Sequence, residues 1–527
     1  MSNSEKDSDE NWAPEIEELH RRESLTAQMG EPGRIERQRA AGRLTVRERI
    51  DKLLDPGTFH ETGGIVGAPT YEGDRLVKLR ASNFIMGRGR INNRQVVVGG
   101  DDFTIRGGAA DAAIGRKAPY AEQMALELRL PMIRLIEGTG GGGSVKTLET
   151  MAGTYVPANP AMDTMVALLE TAPVVSAALG PVAGLGAARV VFSHFSIMPK
   201  KTAQVFVAGP PVVLPATGQD FSKEELGGSH IHARGSGAVD NEVGSEEEAF
   251  EHIRRFLSYM PDSVYEIPPV MEPVDPPERR EEELLHIMPK SNRLTYSVRR
   301  IIELVLDANS FFEIGARQGR SAVTGLGRLL GRPVGVMAND PRFYAGAVTA
   351  GSADKMIRFI DMCDTFHLPI VYFVDNPGFW IGVEAEKQGT IRFGGRWIFT
   401  VYQATVPWCS IILRKVYGVA GAAHGNHARL NLRYAWPSGE WGSLPIEGGV
   451  QAAYKRQIEA AEDPDAFRAE LEKRLKMVTS PFRTAEIFGI EEIIDPRDTR
   501  PLLCEWIETA YRLLPSELGP KRRGIRP

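Results

Sequence analysis

Two short turns rich in small residues are the first places in this sequence where chemistry is expected. The first turn is Ala183-Gly184-Leu185-Gly186 (183–186), and the second turn is Tyr417-Gly418-Val419-Ala420-Gly421 (417–421); each follows an apolar run and opens an Ala-rich helix. Amides at a helix N-terminus lack intrahelical partners, so two of them aimed at one point form an oxyanion hole. Such a hole serves enolate formation from a thioester or amide carbonyl. For a single turn of this kind, tight packing of a helix against a strand is the alternative explanation. The occurrence of the same turn in both halves of the chain favours a functional role.

Two further glycine-containing segments are candidate binding sites. Gly140-Gly141-Gly142-Gly143-Ser144 follows Glu137 and leaves many backbone amides open, which suits a phosphate or an adenine-ribose contact. It is not a P-loop, because no Gly-Lys-Ser/Thr follows. Asp375-Asn376-Pro377-Gly378-Phe379-Trp380 places turn residues beside two aromatic rings and predicts a pocket wall. A flexible surface loop and a plain strand-end turn are the respective alternatives.

The side chains that usually perform catalysis do not form a recognisable group. His230, His232, His424 and His427 lie in two close pairs, but no Cys or Glu at metal-ligand spacing accompanies them, so no zinc site is expected. No G-x-S-x-G elbow is present.

Both turns require strands and helices that alternate along the chain. A β-rich run such as VVVGG or VGVMA precedes an amphipathic helix, and an apolar strand then ends in Glu137 or Asp375 before a glycine turn. Another helix and another strand lead into the small-residue turn. This rhythm predicts an α/β fold with largely parallel sheets and with ligands at the carboxyl ends of the strands.

The two halves of the chain repeat each other. Four pairs of segments match in the same order at a nearly constant offset, which is hard to obtain except by duplication. The pairs are LLDPGTFHETG (53–63) with VLDANSFFEIG (305–315), GRINNRQVVVGGDD (89–102) with GRLLGRPVGVMAND (327–340), LRLPMIRLIEGTGG (128–141) with FHLPIVYFVDNPGF (366–379), and TAPVVSAALGPVAGLGAA (171–188) with TVPWCSIILRKVYGVAGAA (405–423).

Composition excludes several classes of protein. A net charge of -5 over 527 residues gives no global attraction for nucleic acid, and three scattered cysteines predict neither a disulfide framework nor a zinc site. The polar start MSNSEKDSDE is not a secretory signal, and no apolar stretch is long enough for a membrane span. A reducing, cytoplasmic location is expected. The predicted organisation is a disordered tail (1–13), an N-terminal domain (14–266), a proline-rich linker (267–290), a C-terminal domain (291–515) and a second tail (516–527).

The chain resembles the carboxyltransferase (β) subunits of biotin-dependent acyl-CoA carboxylases, of the propionyl-CoA carboxylase type, over about residues 35–515. The resemblance implies an α/β fold of two tandem crotonase-like (ClpP/crotonase) domains, the first on the acyl-CoA side and the second on the biotin side. It also implies a homohexamer, a biotin carboxylase partner, carboxybiotin on a separate carrier chain, and no metal in this subunit. The matching segments are GRLTVRERIDKLLDPGTF, DFTIRGG, ELGGSHIHARGSGAVD, ADKMIRF through PIVYFVDNPGF, QATVP and LNLRYAWPSGE.

The resemblance also implies a reaction and its residues. Carboxybiotin releases CO2, the biotin ureido nitrogen takes the α-proton of an acyl-CoA, and the thioester enolate attacks CO2, while the protein supplies two oxyanion holes. The thioester hole falls on the amides of Gly184 and Leu185, and the biotin hole on those of Val419 and Ala420. The implied CoA contacts are Gly140, Gly141 and Gly142, and the implied substrate and biotin pocket is Gly378, Phe379, Gly418, Gly421 and Ala422.

The sequence departs from the family pattern at four places. Leu185 and Val419 replace glycines, Ala422 stands where a side chain affects acyl preference, and Gly143-Ser144 replaces Ala-Arg. An atypical acyl group is therefore expected. Two alternatives stay open: a biotin-dependent acyl-CoA decarboxylase or transcarboxylase subunit, and a catalytically silent CoA-binding homologue.

Overall fold

The computed structural model divides the chain into two compact units. It describes residues 11–109, 114–138, 140, 148–150, 153–154, 156, 158–159, 161–430 and 432–521. The first unit runs to His232 and includes Glu242–Arg254; the second contains Ala233–Asn241 and everything from Arg255 onward. Segment 267–290 belongs to the second unit, where the Met271 N–H donates to Gly331 O (3.0 Å). Whether this segment acts as a linker stays a prediction.

The first unit is built on a sheet of eight strands in the order β1-β4-β5-β6-β7-β8-β10, with β9 paired to β7; β2 and β3 form a separate hairpin. The strands β5 to β8 run parallel, and their apolar runs are buried throughout, as expected for strands covered on both faces. The strands are β1 (His60–Glu61), β2 (Gly67–Glu72), β3 (Arg75–Ala81), β4 (Phe84–Ile91), β5 (Arg94–Asp101), β6 (Met132–Gly138), β7 (Val174–Ala183), β8 (Phe195–Pro199), β9 (Gln204–Phe206) and β10 (Asn241–Val243).

The second unit repeats this sheet. Its order is β11-β12-β13-β14-β15-β16-β18, with β17 paired to β15, so each strand occupies the place of its counterpart and the predicted duplication is confirmed. The strands are β11 (Phe312–Ile314), β12 (Ala322–Leu329), β13 (Arg332–Asn339), β14 (Ile370–Asn376), β15 (Trp408–Tyr417), β16 (Leu432–Ala435), β17 (Glu440–Gly442) and β18 (Glu492–Ile493).

Each sheet begins with antiparallel strands, so the sheets are mixed, whereas the sequence predicted largely parallel ones. The pairs β4–β5 and β12–β13 are antiparallel, because a two-residue loop cannot make a parallel connection. Both loops have positive φ at both residues, 50° and 65° at Asn92-Asn93 and 50° and 71° at Leu330-Gly331, as in type I′ hairpin turns.

The β2–β3 hairpin explains why the offset between the halves is not constant. Positions 53 and 305 are 252 apart, whereas 89 and 327 are 238 apart. The hairpin lies between these two matches in the first unit, and no hairpin corresponds to it between β11 and β12 among the described residues. An insertion of about this length after duplication accounts for the difference.

Helices connect and cover the strands. The N-terminal segment contains the helices Ala13–Ala27, Pro32–Ala40 and Val46–Leu53, the last of which begins with a capping box between Thr45 and Glu48. No described helix is both long enough and apolar enough to cross a bilayer. The other helices are Lys117–Leu128, Met162–Leu169, Leu185–Val191, Pro210–Thr217, Lys223–Gly227, Ser229–Ile231, Glu246–Tyr259, Val298–Val305, Ala350–Thr365, Val383–Lys387, Thr390–Gln403, Gly418–Ala422, Ile446–Ala453, Lys455–Ala460, Pro464–Val478, Pro481–Glu486 and Thr499–Leu513, with short 3-10 or π segments at Arg106–Gly108, Leu148–Thr150, His232–Ser236, Glu282–Leu285, Tyr344–Gly346, Pro496–Asp498 and Leu514–Ser516.

Candidate functional site

Both small-residue turns join a central strand to a short helix. Gly184 follows β7 with φ 64° and ψ −128° and precedes the first turn helix (Leu185–Val191). Gly418 follows β15 with φ 60° and begins the second turn helix (Gly418–Ala422). The backbone reverses at a glycine in each unit because these positive φ values strain other residues. The first amides of each helix have no intrahelical acceptor and can face a ligand oxygen.

Leu185 and Val419, which are expected from the resemblance to stand in place of glycines, do not occupy closed spaces. The Val419 side chain is 68% exposed, and Leu185 is half-buried, so neither fills a sealed cavity within its own unit. Ala420 is 1% exposed and anchors the second turn helix in the protein. The side chains of Leu185 and Val419 are therefore partly or largely open to solvent beside the two turns.

A glycine from the neighbouring strand end lies next to each turn. A Cβ on Gly140 would stand 2.9 Å from the carbonyl oxygen of Ala183, and a Cβ on Gly378 would stand 3.9 Å from that of Tyr417. Both glycines have positive φ, 66° and 123°. Predicted ligand-contacting residues are thus brought together within each unit. The other two predicted CoA contacts, Gly141 and Gly142, lie outside the described residues.

The penultimate residues of β6 and β14, Glu137 and Asp375, are held by equivalent side chains of the preceding strand. Asp101 Oδ2 accepts from the Glu137 N–H (3.2 Å), and Asn339 Oδ1 accepts from the Asp375 N–H (3.3 Å). Burial raises the pKa of the Asp101 carboxyl, and Arg189 of the first turn helix lies 4.0 Å from it. The strand end and the turn beside it are therefore connected through polar side chains.

In the first unit, Glu137 is surrounded by cations from the N-terminal helical segment. Its carboxylate is fully buried and pairs with Arg43 (3.1 Å) and Arg49 (2.7 Å), while Gln38 Nε2 donates to it (2.7 Å). Arg49 also donates to Glu246 (2.7 and 2.9 Å) and is itself 1% exposed. This network ties three distant parts of the first unit to the end of β6.

In the second unit, Asp375 is paired within its own sheet. Arg414 of β15 donates to its carboxylate (3.0 Å), Tyr296 Oη donates at 3.0 Å, and the Lys415 N–H donates at 3.1 Å. Burial raises the pKa of the Tyr296 hydroxyl, so Tyr296 stays a donor. The next residue, Asn376, donates from Nδ2 to Ala420 O (3.0 Å) and so connects β14 to the second turn helix.

The predicted pocket wall after β14 is formed largely by aromatic side chains. Phe379 pairs with Val348 across a parallel bridge, and a Cβ at Gly394 would collide with the Phe379 ring, so that ring is tightly packed. Tyr344 and Trp380 form an aromatic pair with ring centroids 5.0 Å apart. Phe379 is therefore a packed wall residue, and Tyr344, which pairs with Trp380, is exposed.

A cavity of about 330 Å³ lies beside the second turn helix. Ala422 is exposed at this cavity, and Gly421 is buried next to it. The lining combines apolar strand residues with one arginine and two histidines, so the cavity has both an apolar and a polar side. The lining residues are Ile412, Val416, Gly418, Ala422, His424, His427, Arg433, Trp441, Gly442, Gly489 and Ile490.

The four histidines considered above as metal ligands contact backbone carbonyls or a carboxylate. His232 Nε2 lies 2.7 Å from Val205 O, and His230 lies 3.8 Å from Glu224. His424 and His427 face the carbonyls of the second turn helix. Among the described residues, no three His, Cys, Asp or Glu side chains are grouped as metal ligands.

Sequence reasoning missed the buried polar residues that support the turns. Ser176 of β7 donates to Arg189 O (2.9 Å), and its counterpart Ser410 of β15 donates to His424 O (2.7 Å). The repeat contained this signal, because the serines are 234 positions apart, as are the Thr-Pro pairs at 171 and 405. A polar residue repeated inside an apolar strand indicates a structural hydrogen bond.

Comparison with known proteins gives a consistent result. Residues 37–524 match the family model described as the carboxyl transferase domain. The propionyl-CoA carboxylase carboxyltransferase subunit of Haloferax mediterranei is 34% identical over 92% of this chain and 94% of its own length. The methylmalonyl-CoA carboxyltransferase 12S subunit of Propionibacterium freudenreichii is 32% identical over 94% of this chain and 93% of its own length.

A solved structure of transcarboxylase 12S, described as a hexamer assembly with methylmalonyl-coenzyme A bound, superimposes with a TM-score of 0.86. It is 29% identical and covers 95% of this chain and 96% of its own. Together with the repeated sheets, this likeness confirms the predicted fold class of two tandem crotonase-like domains.

Proposed function

The chain belongs to the carboxyl transferase family and is a carboxyltransferase subunit of the acyl-CoA carboxylase type, and we propose that its two turns receive the two reacting carbonyl groups. The first turn receives the thioester carbonyl of an acyl-CoA, and the second turn receives the ureido carbonyl of biotin. The repeated geometry carries this assignment: in each unit a positive-φ glycine, open helix amides and a glycine of the next strand end lie together.

On the acyl-CoA side, the amides of Gly184 and Leu185 donate to the thioester oxygen as it gains negative charge on loss of the α-proton. The backbone of Gly140, which lies next to this turn, contacts the CoA moiety. The predicted contacts Gly141 and Gly142 take the same role. Fixed backbone dipoles need no reorganisation during the reaction. This arrangement supports a reaction in which the protein supplies position and charge stabilisation rather than an acid–base side chain.

On the biotin side, the amides of Val419 and Ala420 hold the ureido oxygen, with Gly378, Phe379, Gly418 and Gly421 around it. The turn suits a neutral ureido group because it offers uncharged backbone donors. Biotin, when bound, supplies the carboxyl group and the base. The residues of this chain orient its ring and stabilise charge on its oxygen.

Biotin and its carboxylation are proposed to come from other chains. The relatives are subunits named for biotin-dependent or propionyl-CoA carboxylases, which supports a carrier chain bearing biotin and a separate biotin carboxylase as partners. The 12S structure is a hexamer, and we propose the same assembly for this chain.

A bicarbonate-fixation assay tests the proposal. The chain is assembled with a biotin carboxylase and a biotinylated carrier, and labelled bicarbonate is offered with a panel of acyl-CoAs. We expect acid-stable label in at least one thioester product. A correctly assembled complex that labels no thioester would refute the proposal, and CoA binding without turnover would support a silent homologue.

A transcarboxylase subunit is the second candidate, because the 12S subunit matches nearly the whole chain in sequence and in structure. The same turns would serve transfer in the opposite direction, from a carboxylated thioester to biotin. Biotin-dependent loss of the carboxyl group from methylmalonyl-CoA, without forward fixation, would favour this candidate or a decarboxylase.

A further inference from the structure

The last three carbonyls of the second turn helix each accept a hydrogen bond from a side chain. This helix has only five residues, so intrahelical bonds alone cannot satisfy its carbonyl end. The donors come from three separate positions: Asn376 Nδ2 to Ala420 O (3.0 Å), His424 Nδ1 to Gly421 O (2.8 Å) and His427 Nε2 to Ala422 O (2.6 Å).

The acceptors show which ring nitrogen of each histidine carries a hydrogen. A carbonyl oxygen only accepts, so Nδ1 of His424 and Nε2 of His427 each carry a hydrogen. His424 is 4% exposed, and burial lowers its pKa to about 4, so the ring is neutral near pH 7. Its other nitrogen, Nε2, has no hydrogen-bond partner in the described part of the chain.

His424 is itself held in place from the strand below it. Ser410 Oγ and Trp408 Nε1 both donate to the His424 carbonyl, at 2.7 and 2.8 Å. The imidazole then reaches back to Gly421. His424 therefore connects β15, through its own carbonyl, to the second turn helix, through its imidazole ring.

The first turn helix is secured differently. It has seven residues, two more than the second turn helix, and the Ala188 N–H of this helix donates to Gly184 O (3.1 Å). Its side-chain donors act further along: Arg134 Nη1 bonds Arg189 O (3.1 Å), and Ser193 Oγ bonds Val190 O (2.7 Å). No histidine takes part in these bonds.

We propose that His424 and His427 are positioning residues that hold the backbone amides of Val419 and Ala420 in the orientation that binds the biotin carbonyl. The inference rests on the proposed function of the second turn. Removing a capping donor lets the five-residue helix rotate or fray, because a single turn of helix is not stable alone. A shift of about 1 Å at such a site costs on the order of a hundredfold in rate.

Steady-state carboxyl transfer from methylmalonyl-CoA to free biotin tests the inference. His427→Ala removes the donor, and His427→Gln keeps an N–H near the position of Nε2. We expect His427→Ala to lower kcat/KM for biotin by about tenfold or more, with the thioester KM within about twofold of wild type and with recovery in His427→Gln. His286→Ala, at an exposed position of the same unit, is the matched control. Equal losses in the alanine and glutamine variants would overturn the inference.

Hydrogen exchange provides a readout that needs no activity. We expect amides in a peptide spanning 416–425 to exchange faster in His427→Ala and His424→Ala than in wild type, and His424→Asn, which keeps a donor near Nδ1, to restore protection. Unchanged exchange in both alanine variants would overturn the positioning role. An assembled wild-type complex that carboxylates no acyl-CoA of the panel would refute the proposed function, while the exchange result would still decide whether the histidines hold the turn.

Discussion

The ends of β6 and β14 are equivalent positions that neutralise a buried carboxylate in different ways. Glu137 receives its positive charges from Arg43 and Arg49, far away in the sequence, whereas Asp375 receives its charge from Arg414 on the adjacent strand. The residue that matches Arg414 in β7 is Gly180, where a Cβ would collide with the Glu137 carboxylate. The glycine makes room for the longer acid, and the arginine binds the shorter one.

This difference shows which parts of each unit support its turn. The second unit supplies its carboxylate, arginine and tyrosine around one sheet. In the first unit, the ionic contacts of the strand end come from residues 38–49, and Glu246 shares Arg49 with Glu137. The duplicated fold was therefore retained while its ionic contacts diverged.

Arg49→Met is expected to have the largest effect. It removes the charge that Glu137 and Glu246 share, so two buried carboxylates lose a cation at once although Glu137 keeps Arg43, which costs about 3 to 5 kcal/mol of unfolding free energy. Urea unfolding of the assembled protein measures this loss. Arg39→Met, at a partly exposed pair with Glu48, is the control and should change stability by about 1 kcal/mol or less. A small loss in Arg49→Met would show that the first unit does not depend on this network.

Arg414→Met is expected to destabilise less, by about 2 to 3 kcal/mol, because Asp375 keeps the Tyr296 hydroxyl and the Lys415 N–H. The same unfolding measurement applies, with Arg300→Met, at an exposed pair with Glu283, as the control. A loss larger than that of Arg49→Met would reverse the comparison between the two strand ends.

Stability below neutral pH is the third prediction. The His424 pKa is lowered from 6.5 to about 4 by burial, so between these values the unfolded chain binds a proton that the folded chain does not. Stability therefore falls as pH decreases through this window, by on the order of 3 kcal/mol from this residue. We expect the difference in unfolding free energy between wild type and His424→Asn to shrink from pH 7 to pH 4. A difference that is constant with pH would contradict the assignment.

The internal repeat made the architecture predictable from the sequence. The contacts between residues far apart in the sequence could not be predicted. Matching segments such as 128–141 and 366–379 give the same strand in each unit and place Gly140 and Gly378 beside the turns. The partnership of Arg49 with Glu246 spans 197 positions, and no local pattern encodes it. The caps from His424 and His427 were also missed, because histidines near a turn resemble metal ligands as much as hydrogen-bond donors.

Ala422→Asp is expected to give the smallest of these effects. We expect the ratios of kcat/KM between acyl-CoAs to change by about tenfold or less, enough to alter their order of preference. The substitution adds a charge at the cavity that also contains His427 and Arg433, which alters the apolar space offered to a substrate. Values of kcat/KM for acetyl-, propionyl- and butyryl-CoA measure the change. An unchanged ranking would remove Ala422 from the acyl pocket.

The central claim is that the first turn binds the thioester carbonyl and the second turn binds the biotin carbonyl. The release of CO2 from free carboxybiotin in the absence of thioester tests this claim most directly. Both Gly184→Ala and Gly418→Ala place a side chain at a positive-φ position that disfavours it. We predict that Gly418→Ala slows this release by about tenfold or more and that Gly184→Ala leaves it at the wild-type rate. Equal slowing in both variants, or slowing in Gly184→Ala alone, would contradict the assignment of biotin to the second turn.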